Sequence, residues 1–600
     1  MVGVLPDGVS ADSPDARLLF EGARPGAVTS ASTGGIRRAL GAPITTSQRF
    51  AECAVSDLIS EQHNLFSILE RMAVLYPVEA RTLLRDCAVR RSQHLLSMLP
   101  PGQTEAATHR LDEAALRAAL ATVAPELVES RGVQTVAQFG TWAKLRADVA
   151  DQLRLTCDFG GGDILEMGEL RSLAHLASLA STVPVLIDRL SEDERYAAVV
   201  GELRNGRKSA LPWAKSMREA RDEVKRQFKT TPSEEVRRLE IATARPPTQS
   251  AASRLGDPEQ DRTTRLATTA ESRAPDLPTI KEICQAPMDD GEDLGTGLLA
   301  DGTRWLALLR LSQLYGRSPR LERARLASCA GQGRSGSALH APPERLGEDG
   351  LTTDGCRSID RRWLGVPPPG VMALRHCEPC GQAFSEGRDD GPNVRASHFA
   401  SCTSAHRGEA RERGRLPGYD TNHTALRETL RDCAAEVLGD DFVEQEVSGR
   451  VEGSQMRPGD VTLYLPTHTV AVDVTIVYTQ TPTSCSNQAK QPGRPVMKEE
   501  EAKRKKYANI QFTDACTRFM PFAVDDFGHI GDAGWALLDQ LAAYGAAKNK
   551  GKDFTTGRTE QEVRNYYLCR WQQRIAHAVR SSIDRSMQRR LTLSRRQLAA

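Results

Sequence analysis

"RPGDVTLYLPTHTVAVDVTIVYT", residues 457–479, is the stretch on which the fold turns. Most of the 600-residue chain is rich in Ala, Arg and Gly and reads as helix, whereas these residues read as two β-strands. In 469–478, Val470, Val472, Val474, Ile476 and Tyr478 fall on one face, and Ala471, Asp473, Thr475 and Val477 on the other. That alternation is the period of a strand. Each run carries one acid, Asp460 and Asp473, thirteen residues apart. If 460–465 and 468–478 close into a hairpin through Pro466-Thr467, both acids reach the same end of it. A buried carboxylate without a partner costs several kcal/mol, and two together also repel. A divalent cation removes both penalties, and two carboxylates with open positions suit Mg²⁺. Asp460 and Asp473 are therefore expected to hold Mg²⁺ or Mn²⁺. The competing expectation is that Asp473 pairs with an arginine or caps a loop.

Outward from this stretch, "MKEEEAKRKKYANI" (497–510) predicts a helix. Its glutamates Glu499, Glu500 and Glu501 lead, and Lys503, Lys505 and Lys506 follow, as the helix dipole favours. Such a helix alone reads as a solvated face. Packed across the strands, it would bring Lys503, which shares a face with Tyr507, to a scissile phosphate. On the other side, Leu426, Leu430, Cys433, Ala434, Val437 and Leu438 predict an amphipathic helix over 425–438, and "DFVEQEV" predicts a strand.

"HCEPCGQAFSEGRDDGPNVRASHFASC" (376–402) has ligand spacing for zinc. Cys377 and Cys380 form C-x2-C, and seventeen intervening residues separate Cys380 from His398, which stands in H-x3-C with Cys402. Two short local pairs are what a tetrahedral zinc needs, with His376 and His406 as rival ligands. A segment this poor in apolar residues needs such a staple.

Charged residues are 26% of the chain and nearly cancel, at a formal +1, so only local charge can argue for nucleic acid. Aromatics are 5%, which suits a chain with loosely packed segments. No apolar run has the length of a membrane span, and the first residues carry no secretory pattern. Thirteen scattered cysteines suit a reducing compartment. Gly160-Gly161-Gly162 lacks the Lys-Ser/Thr of a phosphate loop and reads as a turn. The last forty residues, 561–600, hold nine arginines against two acids, with Tyr566, Tyr567 and Trp571 interleaved. They read equally as a phosphate-binding helix or as an amphipathic helix packed through Leu568 and Trp571.

In this order the pieces resemble the C-terminal half of site-specific non-LTR retrotransposon proteins that carry a restriction-like endonuclease. The knuckle is Cys377, Cys380, His398 and Cys402, followed by Asn422-His423. The "R/K-P-D" motif appears as Arg457-Pro458-Gly459-Asp460, with one glycine inserted, which lengthens the turn that aims Asp460. Asp473-Val474 supplies the second acid, and Lys503-x2-Lys506-Tyr507 the "K-x2-K-Y" motif. Thr475 stands where D-x-K nucleases have lysine, so Lys503 takes that role. The resemblance implies a metal-dependent nuclease that nicks double-stranded DNA, with catalytic residues Asp460, Asp473, Lys503, Lys506 and Tyr507. It also implies a structural zinc, the element's own RNA as a second ligand, and a nuclear location. The polymerase motif is not found: Asp525-Asp526, in "FAVDD", has its aromatic one residue too far away, and Asp525→Ala is expected to change little. Polymerase activity is therefore not expected, and the chain resembles a truncated or decayed element. The alternative is a catalytically dead nucleic-acid-binding remnant.

The fold class expected is α+β in several segments: a helical N-terminal two-thirds with disordered linkers, a zinc knuckle, then a PD-(D/E)xK-like α/β nuclease domain. The boundaries are a disordered post-palm lead-in (1–45), a helical thumb/connector-like region (46–228) and a disordered linker (229–276). A helical, loop-rich connector (277–370), the knuckle (371–425), the endonuclease (426–555) and a basic helix (556–600) complete the chain.

Overall fold

The computed structural model describes residues 37–39, 42–44, 48–128, 136–204, 212–237, 294–330, 353–367, 376–377, 383, 392–401, 419–455, 457–549 and 557–599. An antiparallel pair, β1 (Arg37–Ala39) and β2 (Ala42–Ile44), comes first. The helices α1 (Gln48–Met72), α2 (Pro77–Leu83), α3 (Arg90–Met98), α4 (Pro101–Val123), α5 (Val136–Leu153), α6 (Met167–Ser191), α7 (Ala197–Arg204) and α8 (Pro212–Gln227) follow. Next are α9 (Leu294–Arg317), α10 (Arg320–Cys329), α11 (Thr353–Trp363), α12 (Pro392–Ser401) and α13 (Tyr419–Leu438). Strands β3 (Val443–Gln445), β4 (Val461–Tyr464) and β5 (Thr469–Val477), helices α14 (Pro482–Lys490) and α15 (Arg494–Tyr507), β6 (Thr517–Asp525), α16 (Asp532–Lys548) and α17 (Glu560–Ala599) complete it.

The chain divides into two units that interleave in sequence. One comprises 1–134, 163–232 and 273–310, and the other 135–162, 233–272 and 311–600. The consecutive segments expected from the sequence therefore do not each form a body: 135–162 leaves the helical region and joins the C-terminal unit. The first unit is helical around Leu170, Leu173 and Ala177 of α6 packed on Met217, Ala220 and Val224 of α8. Asp112 of α4 caps α6, accepting from Met167 N at 2.6 Å and Gly168 N at 2.9 Å.

The second unit contains the strands read from the sequence. Its sheet has the order β3-β4-β5-β6, antiparallel except for β5 and β6, which run parallel. Leu465 N donates to His468 O at 3.0 Å and closes the β4–β5 hairpin over Pro466-Thr467. A parallel neighbour needs a crossover, which α14 and α15 supply. Val470, Val472 and Val474 of β5 join Phe522 and Val524 of β6 in a core with α13, α16 and α17. Ala471, Asp473 and Thr475, on the opposite face, are buried too. A sheet covered on both faces makes the acid in β5 a buried one.

Several expectations change. The lead-in taken as disordered holds β1 and β2. The linker taken as disordered begins with a helical turn at 234–237, where Val236 is wholly buried; residues 238–276 lie outside those described. Within the connector expected over 277–370, six of the ten residues of α10 are buried.

For α17 the packed alternative holds. Val563, Tyr567, Leu568, Trp571, Ile575, Val579, Ile583, Met587 and Leu591 form a continuous core stripe. Arg564 pairs with Asp539, Arg570 and Arg574 with Glu436, while Arg580 donates to Phe527 O and Arg590 to Phe399 O. Five of the nine arginines thus have partners within the unit.

The glycine triplet is a turn, with Gly160 at φ +76° and its carbonyl accepting from Trp363 Nε1 at 2.9 Å. Asp525-Asp526 is no idle pair. Asp525 Oδ1 accepts from the N–H groups of Phe527 and His529, and Asp526 accepts from Thr479 and pairs with Arg362 at 2.5 Å. Both side chains are buried, so Asp525 has a structural role apart from the small effect on nicking expected of Asp525→Ala.

Candidate functional site

The β4–β5 register aligns Val461 with Val472, so the next pair outward is Asp460 and Asp473. Facing residues on one side of an antiparallel pair have Cβ atoms roughly 5 Å apart, and like charges there repel. The glycine before Asp460 makes the approach possible. A Cβ on Gly459 would stand 2.9 Å from both Val472 N and Val472 O, so only glycine lets the chain lie against β5. Asp460 N then donates to Val472 O at 2.7 Å. The insertion seats the acid on the neighbouring strand rather than merely lengthening its turn.

The two carboxylates are held differently. Asp460 Oδ2 accepts from Val474 N at 2.8 Å and lies 3.2 Å from His423 Nε2. Burial alone would raise this carboxyl, but the His423 bond and charge and the Val474 N–H outweigh it, and the net shift is downward. The bond to Asp460 in turn raises His423, against the opposing effect of burial. Asp473 is 6% exposed. Its Oδ1 accepts from Lys503 Nζ at 2.9 Å, while its buried Oδ2 has no hydrogen-bond partner among the described residues.

Helix α15 delivers the remaining groups. Val496, Glu500, Lys503 and Tyr507 recur at helical spacing, and this face turns inward, with Val496, Glu500 and Tyr507 buried. Tyr507 lies against Phe519 of β6, ring centroids 4.2 Å apart. Burial first, then the Asp473 charge and a hydrogen bond to it, push the phenol up. Lys506 Nζ donates to Tyr507 Oη at 3.0 Å. The structure thus brings together all five residues picked from the sequence: Asp460, Asp473, Lys503, Lys506 and Tyr507.

Two residues were given no role in the sequence reading. His423 precedes Leu426, Leu430, Cys433 and Val437 at the same helical spacing, so it continues the buried stripe of α13. That position was the signal for it. Glu500, one of three consecutive glutamates, is 1% exposed and accepts from Ala533 N at 3.1 Å at the start of α16. Burial foremost pushes it up to about 7.

Two carboxylates with one orphaned oxygen fit Mg²⁺, which is held through one or two carboxylates and keeps its waters. Among the described residues no group of three or more His, Cys, Asp or Glu side chains is arranged for a metal. A site built here would be of the two-carboxylate kind.

Of the knuckle, Cys377 and His398 are described, while Cys380, Cys402 and the rival His406 lie outside the described residues. Cys377 is wholly buried, an antiparallel bridge between His376 and Ala383 brackets the C-x2-C pair, and His398 stands on α12. Among the described residues no helix is long and apolar enough to cross a membrane. No family model matches the chain, and no curated protein does either.

Proposed function

We propose that the C-terminal unit is a metal-dependent endonuclease that nicks double-stranded DNA, in a protein of the retrotransposon kind that the sequence resembles. The observation that carries this reading is the buried Asp473 Oδ2, without a hydrogen-bond partner among the described residues and beside a second carboxylate. Asp460 and Asp473 would hold Mg²⁺ or Mn²⁺, which supplies an activated water and charge neutralisation at phosphorus. Lys503, already on Asp473, would steady the attacked phosphate, and Tyr507, which accepts from Lys506 Nζ, stands beside it on the same helix. Exposed Arg457, Lys498, Arg504 and Lys505 offer contacts to the phosphate backbone. Element RNA is the second ligand proposed and the nucleus the location, both on the resemblance alone.

The test is nicking of supercoiled plasmid in Mg²⁺ and Mn²⁺. Asp473→Ala is expected to abolish nicking with DNA binding retained, and Lys503→Ala to slow it about tenfold to thousandfold. Activity unaffected by Asp473→Ala would place the chemistry elsewhere. An inactive wild type that still binds DNA would favour the dead remnant.

A structural zinc on Cys377, Cys380, His398 and Cys402 belongs to the same proposal. The buried Cys377, next to the bridge between His376 and Ala383, and the helix-borne His398 support it. One equivalent of zinc per chain is expected, and unchanged zinc in Cys380→Ser would rule out this ligand set.

A further inference from the structure

His423 Nε2 lies 3.2 Å from Asp460 Oδ2 and 3.2 Å from the Val474 carbonyl oxygen. Both neighbours accept hydrogen bonds, so Nε2 carries the proton and donates. Val474 N–H gives the same Oδ2 a second bond at 2.8 Å. Both N–H bonds to this carboxylate thus fall on Oδ2, and its side chain also meets the Asp473 carboxyl, with which it would share a cation through Oδ1. The ring's backbone is itself anchored one residue earlier. Asn422 is buried, its Nδ2 donates to Tyr478 Oη at 3.1 Å, and its Oδ1 accepts from Ser586 Oγ at 3.1 Å. Those bonds tie the first turn of α13 to the end of β5 and to α17.

We propose that His423 is a positioning residue of the two-carboxylate site: its Nε2–H fixes the rotamer of Asp460 so that Oδ1 joins Asp473 Oδ2 on one cation, with Asn422 holding the ring's backbone in place. The inference rests on the metal site proposed above. It adds a residue that touches neither metal nor DNA, and it explains why a polar side chain continues the apolar stripe of α13. Groups that orient a metal ligand in this way typically change metal affinity by about 10–100-fold when lost.

The test is a titration of the full chain with Mn²⁺, with a thermal melt of each variant in the absence of Mn²⁺. Asp473→Ala serves as the control that identifies the site. His423→Ala is expected to weaken Mn²⁺ binding about 10–100-fold without changing the cooperativity of the melt. His423→Gln, whose amide nitrogen reaches about as far as Nε2, should stay within roughly threefold of wild type. His423→Asn, with the same amide on a shorter stem, should resemble alanine. Unchanged affinity in His423→Ala overturns the proposal, as does His423→Gln binding no better than His423→Asn. If His423→Ala does not fold, the Gln–Asn comparison decides alone. A wild type without Mn²⁺ binding removable by Asp473→Ala overturns the metal site and this role together. A wild type that binds Mn²⁺ but does not nick overturns only the nuclease reading.

Discussion

At the scale of single residues, Gly459 shows how little room the site leaves. The position where its Cβ would begin is taken by the backbone of Val472, which cannot swing aside as a flexible side chain would. Gly459→Ala should therefore cost roughly 1–3 kcal/mol, as overpacking does. It should also weaken Mn²⁺ binding by moving Asp460 off Val474 N–H. Denaturant unfolding and the Mn²⁺ titration check both, and an alanine variant with wild-type values would show that the chain bends freely there. Asp460 and Asp473 were legible in the sequence because strand alternation and a short turn suffice to pair them. The value of Gly459 was not, because the nearness of another strand's backbone leaves no mark on composition. His423 lay between these cases: its place in the stripe of α13 was visible, but its partner was a strand residue 37 positions on, and only the packed sheet supplies that.

At the scale of elements, α15 is fixed at both ends of one face: Tyr507 packs on β6, and Glu500 caps α16. The charge pattern of 497–510 predicted the helix but not its burial, since three adjacent glutamates read as solvent-facing. Glu500 is raised in the folded chain from its ordinary 4.5 to about 7. An acid raised on folding contributes stability that is full below about 4.5 and lost as pH rises through about 7. Glu500→Gln keeps an oxygen for Ala533 N–H and removes the titration. Between pH 5 and pH 8 the wild type should thus lose on the order of 3 kcal/mol relative to this variant. Denaturant unfolding of both proteins at the two pH values checks this; an equal difference at both would mean that the carboxyl does not titrate there. Helix α17 was legible as a helix, but its arginine count pointed outward only until their partners, Asp539 and Glu436 among them, were in place.

At the scale of the whole chain, the C-terminal unit draws residues from three stretches of sequence, 135–162, 233–272 and 311–600, and no local pattern announces that. Within the last of these stretches, elements far apart in sequence meet at a buried charge cluster. Arg362 of α11 pairs with Asp526, and Arg580 of α17, held down to about 9 by burial, donates to Phe527 O at 2.7 Å. Asp525 lies beside them, pushed up to about 7 by burial first and then by the Asp526 charge. Asp525→Ala should leave the Phe527 and His529 N–H groups buried without an acceptor, at a cost of about 1–3 kcal/mol, whereas Asp525→Asn, which keeps the acceptor, should cost less. Thermal melts of the two variants separate them, and equal melting would show that the turn does not depend on that oxygen.

The parallel pairing of β5 with β6 also sets an order of events. Asp460 and Asp473 meet by closing a turn of four residues, 465–468, whereas Lys503 reaches Asp473 only when α14 and α15 have crossed over and β6 has docked. Hairpins form in roughly microseconds, while pairings distant in sequence first pay for closing a longer loop. During refolding the two like charges are therefore expected to meet before their ammonium partner arrives. A chain stalled before the crossover would thus hold both acids without the Lys503 ion pair that Asp473 has in the finished sheet.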